Sequence, residues 1–429
     1  MNKRNMKRGF TITELVIVIV VIAILAAVLI PTFASLIKKA NLSADVQMAK
    51  NLNTALVMDE AANGKPETFG EALNAMREAG YLLANMNPTA EDCYLVWEKE
   101  TNQVLLIELT KKADKYKVLF SAKKDYGEPD DSWYIAVKDQ AAADAIKAVL
   151  PDVNVETTIL DTAALNTQIN GDGEKTVYID SSIVTDAKNV IKQDNPNAKT
   201  TIDLGSSVVT GGSDNTKDMA FPFQVTAGEL NLKGGVVSAT AAFIDADGKT
   251  GYAAVEAKGG VLNITDTVFA IDDTQSYFVS YEGGDGTLKN VTIDAPNANN
   301  VLGTYTGSNV RLEDCKINCD YLAVFASNSG GTSNVVIDGG TYHTKVSNLM
   351  APYGTTITVE DGTFSCDNVA KTFKFYDVGG KLVLKGGTYN GVAFESLTED
   401  LLRGMCNLSD CSKGVNIVKT NGAWEITVK

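Results

Sequence analysis

The longest apolar stretch lies close to the start of the chain. From Leu15 to Ile37 no residue is charged. Wound as a helix, those 23 positions reach roughly 34 Å at ~1.5 Å per residue, enough to cross the hydrocarbon core of a bilayer. Lys3, Arg4, Lys7 and Arg8 precede the run, and basic residues ahead of a first apolar segment hold that side in the cytoplasm. Everything after Ile37 is therefore expected outside. A helical period continues past it. Ile37, Val46, Ala49, Leu52, Leu56 and Ala61 form a broken apolar face among Lys38, Lys39, Asp45, Lys50 and Asp59. The pattern predicts an amphipathic helix packed on a globular head and stopped by Asn63-Gly64-Lys65-Pro66.

Thr68 with Glu71 three residues on reads as a capping box, and the helix it opens runs through Leu73 and Met76 to Gly80. Short strands follow at Tyr94–Trp97 and Val104–Leu109, joined through Glu100-Thr101-Asn102 as a hairpin. Residues 125–175 are transitional. Gly127-Glu128-Pro129-Asp130-Asp131 is a turn or linker, and Ala141–Leu150 reads as one helix stopped by Pro151.

From about Thr176 the helix formers give way to Gly, Asn, Asp, Thr and Val, and one phrase recurs. Leu230-Asn-Leu-Lys-Gly-Gly-Val-Val237, Val335-Val-Ile-Asp-Gly-Gly-Thr-Tyr342 and Leu382-Val-Leu-Lys-Gly-Gly-Thr-Tyr389 are copies of it. Aligned on the third residue, copies fall at Ile179, Leu204, Leu232, Ile264, Leu288, Leu312, Ile337, Val359 and Leu384, spaced 22–32 residues apart. Five positions later every copy is apolar or aromatic: Val184, Val209, Val237, Phe269, Ile293, Ile317, Tyr342, Phe364 and Tyr389. Alternating apolar residues followed by a Gly/Asp/Asn step predict two short strands and a corner in each repeat, the pattern of a solenoid. The uneven spacing argues against the strict short repeat of a left-handed hexapeptide helix and suits a right-handed parallel β-helix, whose turns tolerate loops of different length. A β-sandwich or a propeller is the competing architecture.

Lys7-Arg8-Gly9, Phe10, Glu14, the apolar run and Pro31 together resemble the N-terminus of type IV prepilins and pseudopilins. A secretory signal differs, with a shorter apolar region and its cleavage site after it. The resemblance covers about 50 residues. It implies cleavage between Gly9 and Phe10 by a membrane prepilin peptidase, N-methylation of Phe10, and assembly with other pilin subunits through the N-terminal helix. It also implies that Glu14 meets the Phe10 amine of a neighbouring subunit. A carboxylate near the bilayer centre costs on the order of 2.5–3.5 kcal/mol and is usually paired or functional, and the amine freed by cleavage would be its partner. Pro31 removes one helix hydrogen bond and is expected to kink or locally melt the span. The expected division is a leader at 1–9, a pilin helix at 10–63 with the membrane span at about 12–37, and a small α+β pilin-like head at 64–124. The transition at 125–175 and an all-β right-handed parallel β-helix at 176–429 complete it.

The charge of −15 falls to −19 once a leader with four basic and no acidic residues is lost. So acidic a chain disfavours nucleic acid as a partner, because phosphate binding needs Lys/Arg patches. No metal site or cofactor is expected, since no Cys-x-x-Cys occurs and His343 is the only histidine. An outside location permits disulfides among Cys93, Cys315, Cys319, Cys366, Cys406 and Cys411; Cys406 and Cys411 are close enough to bridge through a loop, and the other four are expected as free buried thiols. The best acidic candidates for chemistry are Asp266, Asp314 and Asp361, all at one repeat position. That position also holds Gly234, Asn290, Gly339 and Gly386, the exchange a tight turn demands, so turn chemistry outweighs catalysis there. His343 is expected at the surface. Tyr252, Tyr277, Tyr281, Tyr305, Tyr321 and Tyr353 are expected to be exposed in or near the segments between rungs, and loops at Asp245–Gly248 and Gly283–Gly286 could hold calcium weakly.

The expectation is a non-enzymatic, minor or tip subunit of a pilus or pseudopilus. It would be held in membrane lipid by one span and show its β-helix outside to a glycan or matrix ligand. A surface-anchored polysaccharide enzyme is the alternative. A cluster of acids with a basic neighbour on a sheet face would favour it.

Overall fold

The computed structural model describes residues 12–81, 87–110, 116–137, 140–159, 162–179, 183–185, 190–211, 223–239, 255–271, 278–298, 301–326, 331–351 and 354–429. The chain divides into two compact units. One comprises residues up to Phe69 with Asn85–Ile135 and Ala145–Asn154, and the other comprises Gly70–Ala84, Ala136–Asp144 and Val155–Lys429.

The first unit is built on α1 (Ile12–Asn63), a single helix whose apolar first half is exposed and long enough to cross a membrane. Its second half buries Asp45, Ala49, Leu52, Asn53, Ala55 and Leu56. The buried stripe thus differs from the expected face. Ile37 and Ala61 stay exposed, while Asp45 and Asn53 go inside because each replaces backbone partners. Asp45 accepts the N–H groups of Thr89 and Ala90, both at 2.9 Å, and the Thr89 hydroxyl at 3.0 Å. The Asn53 amide donates to the Val104 carbonyl at 2.8 Å and its own carbonyl accepts the Val104 N–H at 2.9 Å.

That second exchange closes an open strand edge. The head sheet is antiparallel, in the order β3 (Tyr116–Phe120), β2 (Gln103–Leu109), β1 (Cys93–Glu98), β4 (Trp133–Val137). The β2–β3 pairing runs only from Leu109 to Leu106, so Asn53 serves Val104 where β3 has ended. The β1–β2 hairpin turns as expected through Asn102, which sits at φ 49° and accepts the Trp97 indole N–H at 3.0 Å. β4 lies in the stretch read as transitional and extends this sheet, with Trp133 fully buried.

In the second unit, α2 (Phe69–Glu78) ends in a Schellman arrangement. The Gly80 N–H donates to Arg77 O and the Tyr81 N–H to Met76 O, with Gly80 at φ 89°. From Gly70 onward this helix belongs to the solenoid unit rather than to the head into which its position in the chain had placed it. A third helix, α3 (Gln140–Val149), falls within one residue of its expected span.

The solenoid has three strands per turn, stacked in parallel as strips A, B and C. In strip A, Leu232, Ile264, Leu288, Leu312, Ile337, Val359 and Leu384 stand rung over rung in unbroken register, about seven turns of solenoid. In strip B the ladder is Val209, Val237, Phe269, Ile293, Ile317, Tyr342, Phe364 and Tyr389. All of these side chains are buried. The last three rings of strip B stack at 4.8 and 5.2 Å between centroids, close to the ~4.8 Å rung spacing of a sheet.

The register departs from expectation in the first turns. Leu232 pairs with Ile202, not Leu204, and the pairing slips at Gly234 before Val237 meets Val209. Val184 likewise pairs with Thr210 rather than Val209. The strand Ala198–Gly211 carries two more residues between its inward positions than the next strand does, and Leu204 stays buried in the widened corner. Strip C, from Ile191–Gln193 to Cys406–Asp410, had no signature in the repeat; its inward ladder includes Phe223, Val255, Val279, Leu302, Val324 and Leu349.

Both ends are closed. At the start, α4 (Thr162–Ile169) pushes Leu165 and Ile169 into the core. At the finish, the hairpin Val415–Thr420/Ala423–Val428 pairs antiparallel with Lys381–Leu384, and α5 (Glu399–Met405) buries Leu402 and Met405. Closing the edges of a parallel stack prevents it from pairing with another chain.

Candidate functional site

Two regions carry chemistry: the N-terminal segment and the outer surface of the solenoid. Gly9 and Phe10, the expected cleavage and methylation residues, lie outside the described residues. Glu14 stands in the first turn of α1 on an exposed surface. Pro31 sits inside the helix, which is continuous across it. Pro31 cannot donate to the Ala27 carbonyl, but the turn is supported by the Thr32 hydroxyl, which donates to the Val28 carbonyl at 2.8 Å. From Ile12 to Ile37 the large apolar side chains stay exposed, Ile30 at 68% and Ile24 at 61% for example. A helix surface of that kind needs lipid or other helices around it.

On the solenoid, the repeat position holding Asp266, Asp314 and Asp361 is the corner between strips A and B. Asp266, Asn290 and Asp314 take φ of 54°, 51° and 51°, and Gly234 and Gly339 take 70° and 84°. The exchange of Gly, Asn and Asp there is turn chemistry, as expected. At Asp361 and Gly386 the left-handed residue moves one place on, to Gly362 and Gly387. The Asp266 carboxylate accepts the Asn290 amide at 2.7 Å, and Asp361 accepts the Gly362 N–H at 2.8 Å. Asp266, Asp314 and Asp361 lie on corners two rungs apart, with Asn290 and Gly339 on the rungs between them.

A charged row runs beside those corners on the outer face of strip A. Arg311 Nε donates to Glu313 at 2.7 Å and its Nη2 pairs with Asp338. Lys289 lies 3.5 Å from Glu313, and Lys385 lies 2.8 Å from Glu360. This is the acids-with-a-base arrangement expected to favour the enzyme alternative. Its electrostatics run the other way from a general acid. The Arg311 hydrogen bond holds Glu313 below the usual carboxylate range, and its bond to Glu313 holds Arg311 above its own usual value. The acids of the row are shared among cations, as in a cross-strand ion-pair row.

His343 points outward from the strand Thr341–Thr344 and is half-exposed. Its Nδ1 is 2.9 Å from the Ser365 hydroxyl on the next rung, while its Nε2 is 3.6 Å from Asp367, beyond hydrogen-bond reach. It lines a trough of about 420 Å³ on the outer face of strip B.

Residues 4–30 match the family model described as the prokaryotic N-terminal methylation motif. The N-terminus is a prepilin-type segment. No solved structure matches the chain. The prepilin-type segment and the solenoid behind it establish the architecture inferred from residues 7–37 and the repeat. The motif supports type IV pilin-like processing by a prepilin peptidase.

Behind the prepilin-type segment, several side chains differ from expectation. Cys406 and Cys411 are both free and buried, with Cys406 Sγ turned to the Leu402 carbonyl at 3.2 Å and Cys411 Sγ to Gly414 O at 3.7 Å. The other four thiols are buried too, and burial pushes Cys315 up to about 11 and Cys319 up to about 12. Thiols so shifted are core side chains, not nucleophiles. Tyr281 is fully buried, its hydroxyl donating to the Leu262 carbonyl at 2.8 Å, whereas Tyr252, Tyr277 and Tyr353 lie outside the described residues. The Asp245–Gly248 loop lies outside them as well, and Asp285 is engaged by the Asn309 N–H at 2.7 Å. Tyr321 packs on Lys374, whose ammonium lies 4.9 Å from the ring centroids of both Tyr321 and Tyr376. Burial works against that charge, but the hydroxyls of Tyr321 and Tyr376 more than offset it and hold Lys374 above the usual lysine value.

Proposed function

We propose that this chain is a minor or tip subunit of a type IV pilus or pseudopilus. It is anchored by a single span with its N-terminus in the cytoplasm, and it carries the β-solenoid outside as a binding module rather than an enzyme. The observation that carries the reading is the methylation motif at residues 4–30, running directly into an exposed apolar helix. The minor role follows from bulk. A solenoid of this size on every subunit would crowd the shaft of a helical filament. The ion-paired carboxylates of strip A support binding over catalysis, because Glu313, Asp338 and Glu360 are each already engaged by an arginine or a lysine.

The test is mass spectrometry of the N-terminal peptide from membranes and from sheared surface fractions. The expected peptide begins at Phe10 and carries a methylated amine. A chain that still begins at Met1, or one cut after the apolar run, would overturn the reading. A second measurement, the copy number of this chain relative to other pilins in the sheared fraction, separates a minor subunit from a shaft subunit.

A further inference from the structure

The trough on strip B is formed by four neighbouring strands, Thr292–Ala295, Lys316–Cys319, Thr341–Thr344 and Thr363–Cys366. Their register places Thr292, Lys316, Thr341 and Thr363 in one outward row and Asp294, Asn318, His343 and Ser365 in a second. Steps of ~4.8 Å along the axis make these two parallel rows of hydrogen-bonding groups. The second row is fixed by its own bonds: the Asn318 amide donates to Asp294 at 2.7 Å, and His343 meets Ser365 at 2.9 Å. In the first row, the Lys316 ammonium is exposed and stands between threonine hydroxyls.

We infer that this trough binds a saccharide chain laid along the solenoid axis, with Lys316 taking an acidic substituent of the sugar. The reading rests on the surface display proposed above. Three features choose the class. The donors and acceptors repeat along one line, which suits a polymer of like units. The strands beneath are hydrogen-bonded on both sides, so a peptide finds no free edge to extend. The chain carries a net charge of −15, and the trough offers one lysine, too little to neutralise a nucleic-acid backbone. Among the lining side chains the single aromatic, Tyr342, is turned into the core. Recognition is therefore by hydrogen bonds and charge, not by stacking.

The experiment is isothermal titration of the full chain in detergent micelles with a mannose hexamer in which one unit is replaced by mannuronate and with the all-mannose hexamer of the same linkage. The acidic hexamer should bind and the neutral one should bind more weakly. Lys316→Gln should weaken the acidic hexamer about tenfold, the effect of losing one charge-assisted hydrogen bond. Arg311→Gln, on the strip A face, should leave both titrations unchanged. Equal binding of the two hexamers, or indifference to Lys316→Gln, would overturn the acidic assignment. Absence of binding by either would overturn the trough as a saccharide site. Neither result bears on processing, which the N-terminal peptide reads separately.

Discussion

Gly205 leaves open the space that the Arg77 guanidinium fills. A Cβ built on Gly205 would fall on Arg77 Nη1, and Gly205 holds φ 53°, a conformation that side chains resist. Arg77, 7% exposed, reaches in from α2 to donate through Nη2 to the Ile179 carbonyl and through Nη1 to Asn74 at 3.0 Å. The widened corner that shifts the register of the first turns is the corner this side chain enters. Gly205→Ala should therefore destabilise the solenoid by about 2–4 kcal/mol, combining left-handed strain with displacement of a buried cation. Arg77→Ala should cost about 2–3 kcal/mol through lost charged hydrogen bonds. The double variant should cost less than the sum, because Gly205→Ala does its main damage by evicting Arg77. Urea unfolding of the three variants checks this; strict additivity would mean the two sites are independent.

Asp203 sits beside that corner and gives a pH signature. Burial raises its carboxyl above the usual range, although Lys233 at 3.9 Å, the Gly205 N–H at 2.9 Å and Arg77 pull the other way. A carboxyl raised in the folded state favours folding while it is protonated. Its contribution is full below the unfolded value, near ~3.9, and is lost as pH rises through the folded value. Asp203→Asn can still accept the Gly205 N–H and removes the titration. The difference in stability, variant minus wild type, should therefore grow more favourable to Asn as pH rises from about 3 through the folded value, then level off. Thermal unfolding of both proteins across that range measures it. A flat difference would show that burial does not dominate at this carboxyl.

The solenoid could be read from sequence because strips A and B repeat a single alternation with a Gly/Asn/Asp corner between them, and both features follow from local backbone geometry. Seven strip A positions from Leu232 to Leu384 fall where that alternation put them. Leu204 did not, because the extra residues of its corner answer to Arg77, more than 100 residues earlier in the chain. Strip C was hidden by long, unequal approaches to its strands and by inward residues as varied as Gln193, Thr304 and Cys406. Tyr281 looked like a surface tyrosine because only the strip C register shows which way it faces. Among the candidate site residues, Glu14 and Pro31 were picked out by their places in the prepilin-like order from Lys7 to Pro31, not by the apolar run alone. The trough was not, since Lys316 and His343 become neighbours only once the rungs are stacked.

The first strand of strip C should depend on two amides, Asn166 in α4 and Asn170 just past its end. The Asn166 amide donates to Val190 O at 2.8 Å and its carbonyl accepts the Lys192 N–H at 2.7 Å. One turn on, Asn170 donates to Lys192 O at 2.7 Å and accepts the Asp194 N–H at 2.8 Å. These side chains stand in for a missing neighbouring strand. Asn170→Ala should cost about 1–2 kcal/mol and leave a strand edge able to pair with a second molecule. Asn170→Asp should do half the damage, keeping the acceptor and losing the donor. Unfolding midpoints give the first effect and light scattering against concentration gives the second. An Ala variant as stable and as monodisperse as wild type would defeat the capping role.

Glu14 offers the decisive test of assembly. If it meets the Phe10 amine of an adjacent subunit, Glu14→Ala should leave membrane insertion intact, because the apolar run is untouched and the segment becomes more lipophilic. Cleavage should persist as well, since the cut depends on Gly9. What should fall is incorporation into filaments, because an amine in a low-dielectric setting would lose its counter-charge, a defect of about 3–5 kcal/mol for an unpaired buried charge. A minor subunit can be carried in by its neighbours, so the measurement is the amount incorporated per cell in sheared surface fractions, set against the amount of processed chain in the membrane. Glu14→Asp should recover part of the loss, as the charge is kept on a shorter arm. Incorporation of the Ala variant at the wild-type level would reduce Glu14 to an interfacial residue at the end of the span.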